Sequence, residues 1–68
     1  MAVVPDLMKN LKHPDARLRK GAAETLGKIG PPASEAVGAL RRLALGDEDE
    51  EVRIAAQDAI LSILPPPE

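Results

Sequence analysis

The chain has 68 residues, with no cysteine and no aromatic residue, 44% hydrophobic and 29% charged residues, and a formal net charge of -2. This allows one small aliphatic, alanine-rich core. It excludes a disulfide framework, an aromatic base-stacking surface and, with a single His, a multi-His metal site. The charge is divided: residues 1–32 hold six bases against three acids, +3, and residues 33–68 hold three against eight, -5.

After Met1 the apolar run Ala2, Val3, Val4 stops at Pro5 and Asp6, too short for a signal-peptide core or a membrane span. A soluble, cytoplasmic chain with no membrane partner is the expectation. Val4, Leu7, Met8 and Leu11 then fall at i, i+3, i+4, i+7 and predict a first helix over about 3–12. His13, Pro14 and Asp15 break it. Proline tolerates the first position of a helix and an acid just inside meets the positive end of its dipole, so a second helix is expected over 14–29 on the stripe Leu18, Ala22, Thr25, Leu26, Ile29. Gly30, Pro31 and Pro32 end it, and Ser34 is placed to start a third helix over 34–45. Gly46 closes that helix. Asp47 can cap a fourth over 48–64, with Glu50 as its capping-box partner and Val52, Ala56, Ala59, Ile60, Ile63 as its apolar stripe, before Pro65, Pro66 and Pro67 forbid further helix.

The second half repeats the first. Leu18, Arg19, Ala22, Leu26 and Ile29 fall on Val52, Arg53, Ala56, Ile60 and Ile63 at an offset of 34, and Asp15 falls on Asp49; Val4 and Leu7 fall on Val37 and Leu40 at 33. A fixed period of this length marks stacked supersecondary units. The fold expected is all-α: two stacked helical hairpins, four helices, in one domain over 1–68, with repeat one at about 3–30, repeat two at about 34–64 and a Pro-rich tail at 65–68. Small residues Gly21, Ala22, Ala23 and Ala55, Ala56, Ala59 let partner helices approach closely, and Gly21, costly inside a helix, calls for a packing reason or is tolerated drift.

These residues carry a resemblance. Val4, Pro5, Asp6, Leu7, Met8, Lys9, Asn10, Leu11, then His13, Pro14, Asp15, Leu18, Arg19, Ala22, Ala23, Leu26, Gly27, Ile29, Gly30 resemble one HEAT repeat of the bilin-lyase type. Ala36, Val37, Leu40, Asp47, Asp49, Val52, Arg53, Ala55, Ala56, Ala59, Ile60, Ile63 resemble another. The match departs at His13, which replaces the usual acid, and at Leu61 and Leu64, which stand where the first copy has Gly27 and Gly30. The resemblance implies a HEAT-like α-solenoid that binds other macromolecules, usually proteins. It implies either a non-catalytic interaction or scaffold module, a fragment of a longer solenoid or a self-associating unit, or alternatively an accessory part of a bilin-lyase-type enzyme.

Several side chains are candidates for a site. Ile54 and Leu61, seven apart on one helix line, with Leu64 near the helix end, make an apolar surface where the first copy carries Lys20, Gly27 and Gly30; another repeat or another chain is expected there, including self-association through the C-terminal helix. Arg17, Lys20, Glu24 and Lys28 form a ridge on the second helix that is either a recognition surface or solvated, with Glu24 and Lys28 spaced as an i, i+4 pair. Arg19 and Arg53 are read as bonding to Asp15 and Asp49 one turn earlier or to the neighbouring repeat's turn, with a ligand-facing Arg53 the other option. His13, Pro14, Asp15 is also the tripeptide that engages Hsp70 in J-domain co-chaperones, but Asp47, Glu48, Asp49 at the equivalent place favours plain helix entry. The acids Asp47 to Glu51 enter a helix at once and lack the glycine bend of a calcium loop. The hydroxyls Thr25, Ser34 and Ser62 have no nearby base, so no catalytic, metal or cofactor residue is assigned and no cofactor is expected. Nucleic acid is disfavoured as a partner; the protein partner is left unnamed.

Overall fold

The computed structural model describes residues 3–64, so the Pro-rich tail expected at 65–68 lies outside the described residues. Four helices form, α1 Val3–Asn10, α2 Ala16–Ile29, α3 Val37–Gly46 and α4 Glu50–Ile63, with a short 3₁₀ segment, Pro31–Ala36, between the second and third. There is no strand among the described residues. Two helical hairpins, α1–α2 and α3–α4, stack side by side, with α2 and α4 packed along each other.

Helices α2, α3 and α4 begin two or three residues later than the sequence predicts, and the local contacts explain why. Asp15 is not inside α2; it is the N-cap, with extended backbone, and its Oδ1 accepts from the Arg17 N–H at 2.9 Å. Pro14 therefore precedes the helix, outside its first turn. Asp49, not Asp47, caps α4, with its Oδ1 accepting from the N–H groups of Glu51 and Val52 at 2.8 and 3.2 Å. An N-cap carboxylate satisfies N–H groups that the first turn leaves unpaired. The capping box expected between Asp47 and Glu50 does not form, because Asp47 is already engaged elsewhere. Ser34 does not start α3 either. Gly30 takes φ +77°, which favours glycine, and leads Pro31 and Pro32 into the 3₁₀ turn that delays α3 to Val37.

The core is aliphatic and small. Leu11, Leu26, Leu40, Val52 and Ile63 are its largest fully buried side chains, and Ala22, Ala23, Ala33, Ala36, Ala55, Ala56 and Ala59 fill the space between them. Each buried Leu, Ile or Val contributes about 1.5–3 kcal/mol relative to exposure. Leu18 and Thr25, expected in the α2 stripe, are exposed; the buried face of α2 is instead Arg19, Ala22, Ala23 and Leu26. Nor does Gly21 have a packing reason: a Cβ there would meet nothing within 4 Å. The close approach is at Gly27, where a Cβ would stand 3.0 Å from the Ala59 Cα.

Candidate protein-binding face

The first element of the site is a buried arginine that joins the two hairpins. Arg19 is 8% exposed. Its Nε donates to Asp47 Oδ2 at 2.8 Å and its Nη2 to Asp47 Oδ1 at 3.1 Å, a bidentate fork, while Nη1 donates to the His13 and Pro14 carbonyls at 2.8 and 2.9 Å. Planar guanidinium matches carboxylate in this way, with two parallel bonds that fix orientation as well as charge. Asp47 Oδ1 also accepts from the Asp49 N–H at 2.9 Å. The Arg19 bonds hold the Asp47 carboxyl below its ordinary range, against the opposing pull of burial, and Asp47 in turn holds the Arg19 guanidinium above its own. Of the two readings of Arg19, the bond to the neighbouring repeat's turn is the one present. Asp15 is paired instead with Arg17, through Arg17 Nη2 at 3.1 Å, and this exposed pair lowers the Asp15 carboxyl.

The matching residue of the second hairpin is used only in part. Arg53 Nη1 donates to the Asp47 carbonyl at 2.6 Å, as Arg19 Nη1 donates to that of His13, its counterpart 34 residues earlier. No carboxylate meets the Nε and Nη2 of Arg53 among the described residues. Asp49, the other sequence candidate, accepts backbone N–H groups and not Arg53. In the first hairpin, His13 holds the place of Asp47: its Nδ1 accepts from the Asp15 N–H at 3.0 Å, as Asp47 Oδ1 accepts from that of Asp49. His13, Pro14 and Asp15 thus shape the entry to α2.

The second element is the outer face of α4. Ile54, Leu61 and Leu64 are 51%, 67% and 42% exposed, and Leu64 stands at the C-cap of the helix. Burial at matched positions is exchanged between the hairpins. Ala23 and Leu26 of α2 are buried while Gln57 and Ile60 of α4 are exposed or half-buried; Val52, Ala55 and Ala59 of α4 are buried while Leu18, Gly21 and Thr25 of α2 are not. The positions of α2 that α4 covers correspond to the positions of α4 that lie open.

The charged side chains of the α2 ridge make different contacts. Arg17 turns back to its own N-cap, and Lys20 Nζ bridges to Glu51 Oε1 of α4 at 3.1 Å, so it belongs partly to the contact between hairpins. Glu24 and Lys28 line a shallow groove of about 370 Å³ against Ala55, Asp58 and Ser62 of α4. The i, i+4 ion pair expected between them is absent from the ion pairs of the described residues, as suits two exposed side chains whose freedom outweighs a screened attraction. A second open cleft, about 470 Å³, runs between α1 and α3 past Met8, Lys9, Lys12, Glu35 and Arg42. Leu45, 85% exposed on α3, escaped the sequence reading because it ends an apolar run and breaks no periodicity. Among the described residues no group of three His, Cys, Asp or Glu is placed to hold a metal, and no helix is long and apolar enough to cross a membrane.

Residues 1–62 match the family model described as HEAT repeats. No curated protein and no solved structure matches the chain.

Proposed function

This chain belongs to the HEAT-repeat family, with about two repeats, and from that premise we propose that it is a non-catalytic protein-binding module whose partner surface is the outer face of α4. One observation carries the reading: Ile54 and Leu61 are exposed where the matching Lys20 and Gly27 of α2 lie beside α4, Gly27 against the Ala59 backbone and Lys20 in a bridge to Glu51. A solenoid repeat buries its apolar face by stacking, so an apolar end face is a place for another protein to sit. The occupant is a further helical protein surface, a second copy of the chain among the candidates, and a scaffold role follows if the α2 ridge binds a second protein at the same time.

Sedimentation velocity over a concentration series, with Ile54→Lys/Leu61→Lys beside the parent, tests the self-association arm: a dimer that the double change dissolves supports it, and a parent that stays monomeric removes it. For other partners, interacting proteins recovered on the parent are expected to lose at least ten-fold in affinity for the double variant. Partners that bind both forms equally move the surface away from α4. No feature of the geometry favours the bilin-lyase accessory role. An absorbance shift on mixing the chain with free bilin and an acceptor protein would favour it over the binding module.

A further inference from the structure

The cleft between α1 and α3 has a charge and a shape that the chain itself leaves unmatched. We propose that it binds an extended segment of another protein in which an aliphatic residue stands two positions from an acidic one, held by Met8, Ala39, Lys12 and Arg42. The site lies apart from the outer face of α4, since none of Ile54, Leu61 and Leu64 lines it.

α1 packs on α2 and on the 3₁₀ segment and does not close along α3, which leaves an open trough of about 470 Å³. Met8, Lys9 and, just past the helix, Lys12 form one wall; Gly38, Ala39 and Arg42 form the other with the same spacing. Met8 and Ala39 are half-buried against the core, and at Gly38 a Cβ would meet nothing within 4 Å, so the middle of the trough is apolar and open. One end is basic. The chain has eleven acids to nine bases, yet no described acid pairs with Lys9, Lys12 or Arg42. Lys12 and Arg42 also line the hollow over the two turns, so they stand together where the trough opens onto it. Of the acids on that side, Asp47 is forked by Arg19 and Glu48 bridges to neither. Glu35 marks the other end, seven residues before Arg42.

These features select the ligand. A free carboxylate or phosphate would meet exposed bases screened by water and salt and leave the apolar walls uncovered. A nucleic acid would find no aromatic ring on which to stack a base. A peptide covers both parts. Gly38 and Arg42 are four residues apart, about 6 Å along α3, and alternate residues of an extended chain are about 6.6 Å apart on one face. An aliphatic side chain over Met8 and Ala39 therefore places a carboxylate, two residues away, between Lys12 and Arg42, where a guanidinium takes it with two parallel bonds.

Two fluorescein-labelled peptides with blocked ends, Gly-Leu-Ser-Glu-Glu-Gly and its reverse, present this pattern in both directions, and fluorescence anisotropy measures their binding to the intact chain. At least one is expected to saturate, and its counterpart with Gln for Glu to bind at least five-fold more weakly. Lys12→Glu/Arg42→Glu is expected to weaken the acidic peptide at least ten-fold. Gly38→Phe fills the trough from a position where the fold has open space and is expected to weaken it at least five-fold. Circular dichroism checks that each variant keeps its helices, and Lys12→Gln/Arg42→Gln stands in for one that does not. Ile54→Lys/Leu61→Lys is expected to leave the affinity within two-fold of the parent; a ten-fold loss there overturns the placement in the trough. Equal binding of the Gln peptide overturns the acid requirement, and unchanged binding to Gly38→Phe overturns the trough as the seat. A labelled single-stranded oligonucleotide that binds more tightly than both peptides and is weakened by the same variants overturns the choice of a peptide. No saturable binding of either peptide up to millimolar concentration overturns the inference and leaves the α4 reading standing.

Discussion

Replacing Asp47 by Asn exchanges one carboxylate oxygen for an amide NH2 and puts the joint between the hairpins on trial. The carboxylate now accepts three N–H groups: Arg19 Nε and Nη2, and the Asp49 backbone. An amide keeps one oxygen, enough for Asp49 and for Arg19 Nη2. Its nitrogen then faces the Arg19 Nε–H, 2.8 Å away in the parent, as donor against donor. The variant loses one charge-assisted bond, about 1.5–3 kcal/mol, and leaves a buried guanidinium short of its counter-charge, so about 2–4 kcal/mol of stability is expected to go. A chain of this length has roughly 3–5 kcal/mol in all, so the variant is expected to be near its unfolding midpoint at 25 °C. The assay is urea denaturation followed by far-ultraviolet circular dichroism, since the chain has no Trp or Tyr to report by fluorescence. Arg53→Gln serves as the control: it removes a single bond to a carbonyl and is expected to cost about 1 kcal/mol. If Asp47→Asn stays within about 0.5 kcal/mol of the parent, the fork does not hold the hairpins together.

The remaining predictions concern acid, glycine and the core. The contacts of Asp47 hold its carboxyl below the ordinary range, so its contribution is present above the unfolded value, about 4, and is lost as pH falls through the folded one; the urea midpoint of the parent is expected to drop from pH 5 to pH 2. A midpoint that stays level over that range would show that the Asp47 pair does not couple to stability. Two glycine-to-alanine changes in α2 are expected to have opposite signs. Gly21→Ala meets open space and gains about 0.5–1 kcal/mol of helix preference. Gly27→Ala sets a methyl 3.0 Å from the Ala59 backbone, and forcing the helices apart costs about 1–3 kcal/mol, which offsets or exceeds the same gain. Thermal melts that rise for both would mean that α4 shifts freely along α2. Leu40→Ala, at a fully buried position, is expected to cost about 2–5 kcal/mol and leave little folded chain, which the same melts would report as loss of the cooperative transition.

The helices were legible in the sequence because their apolar spacing is regular and proline and glycine punctuate it. The ends were less so, and for a definite reason. In the second turn the sequence points to Asp47 as the cap, but Arg19, 28 positions away, bonds to both Asp47 oxygens and Asp49 caps α4. No local pattern carries that information. The same holds for the glycines: Gly21 and Gly27 look alike in sequence, and only the position of α4 distinguishes them. Leu18 fits the apolar spacing of α2 as Val52, its counterpart, fits that of α4, yet Val52 is buried and Leu18 is 45% exposed. Repetition tells which residues are equivalent; it does not tell which of them has a neighbour. The exposed line of Ile54 and Leu61 was legible by the opposite logic, since it appears where the two copies differ.

Between α2 and α4 two kinds of contact divide the work. Alanine and glycine set the distance, since a Cβ at Gly27 would stand 3.0 Å from the Ala59 Cα, and Arg19 with Asp47 sets the alignment through two parallel bonds that fix orientation as well as charge. Apolar stacking alone has no reason to prefer one direction along a helix, so the fork selects the register that the small residues allow.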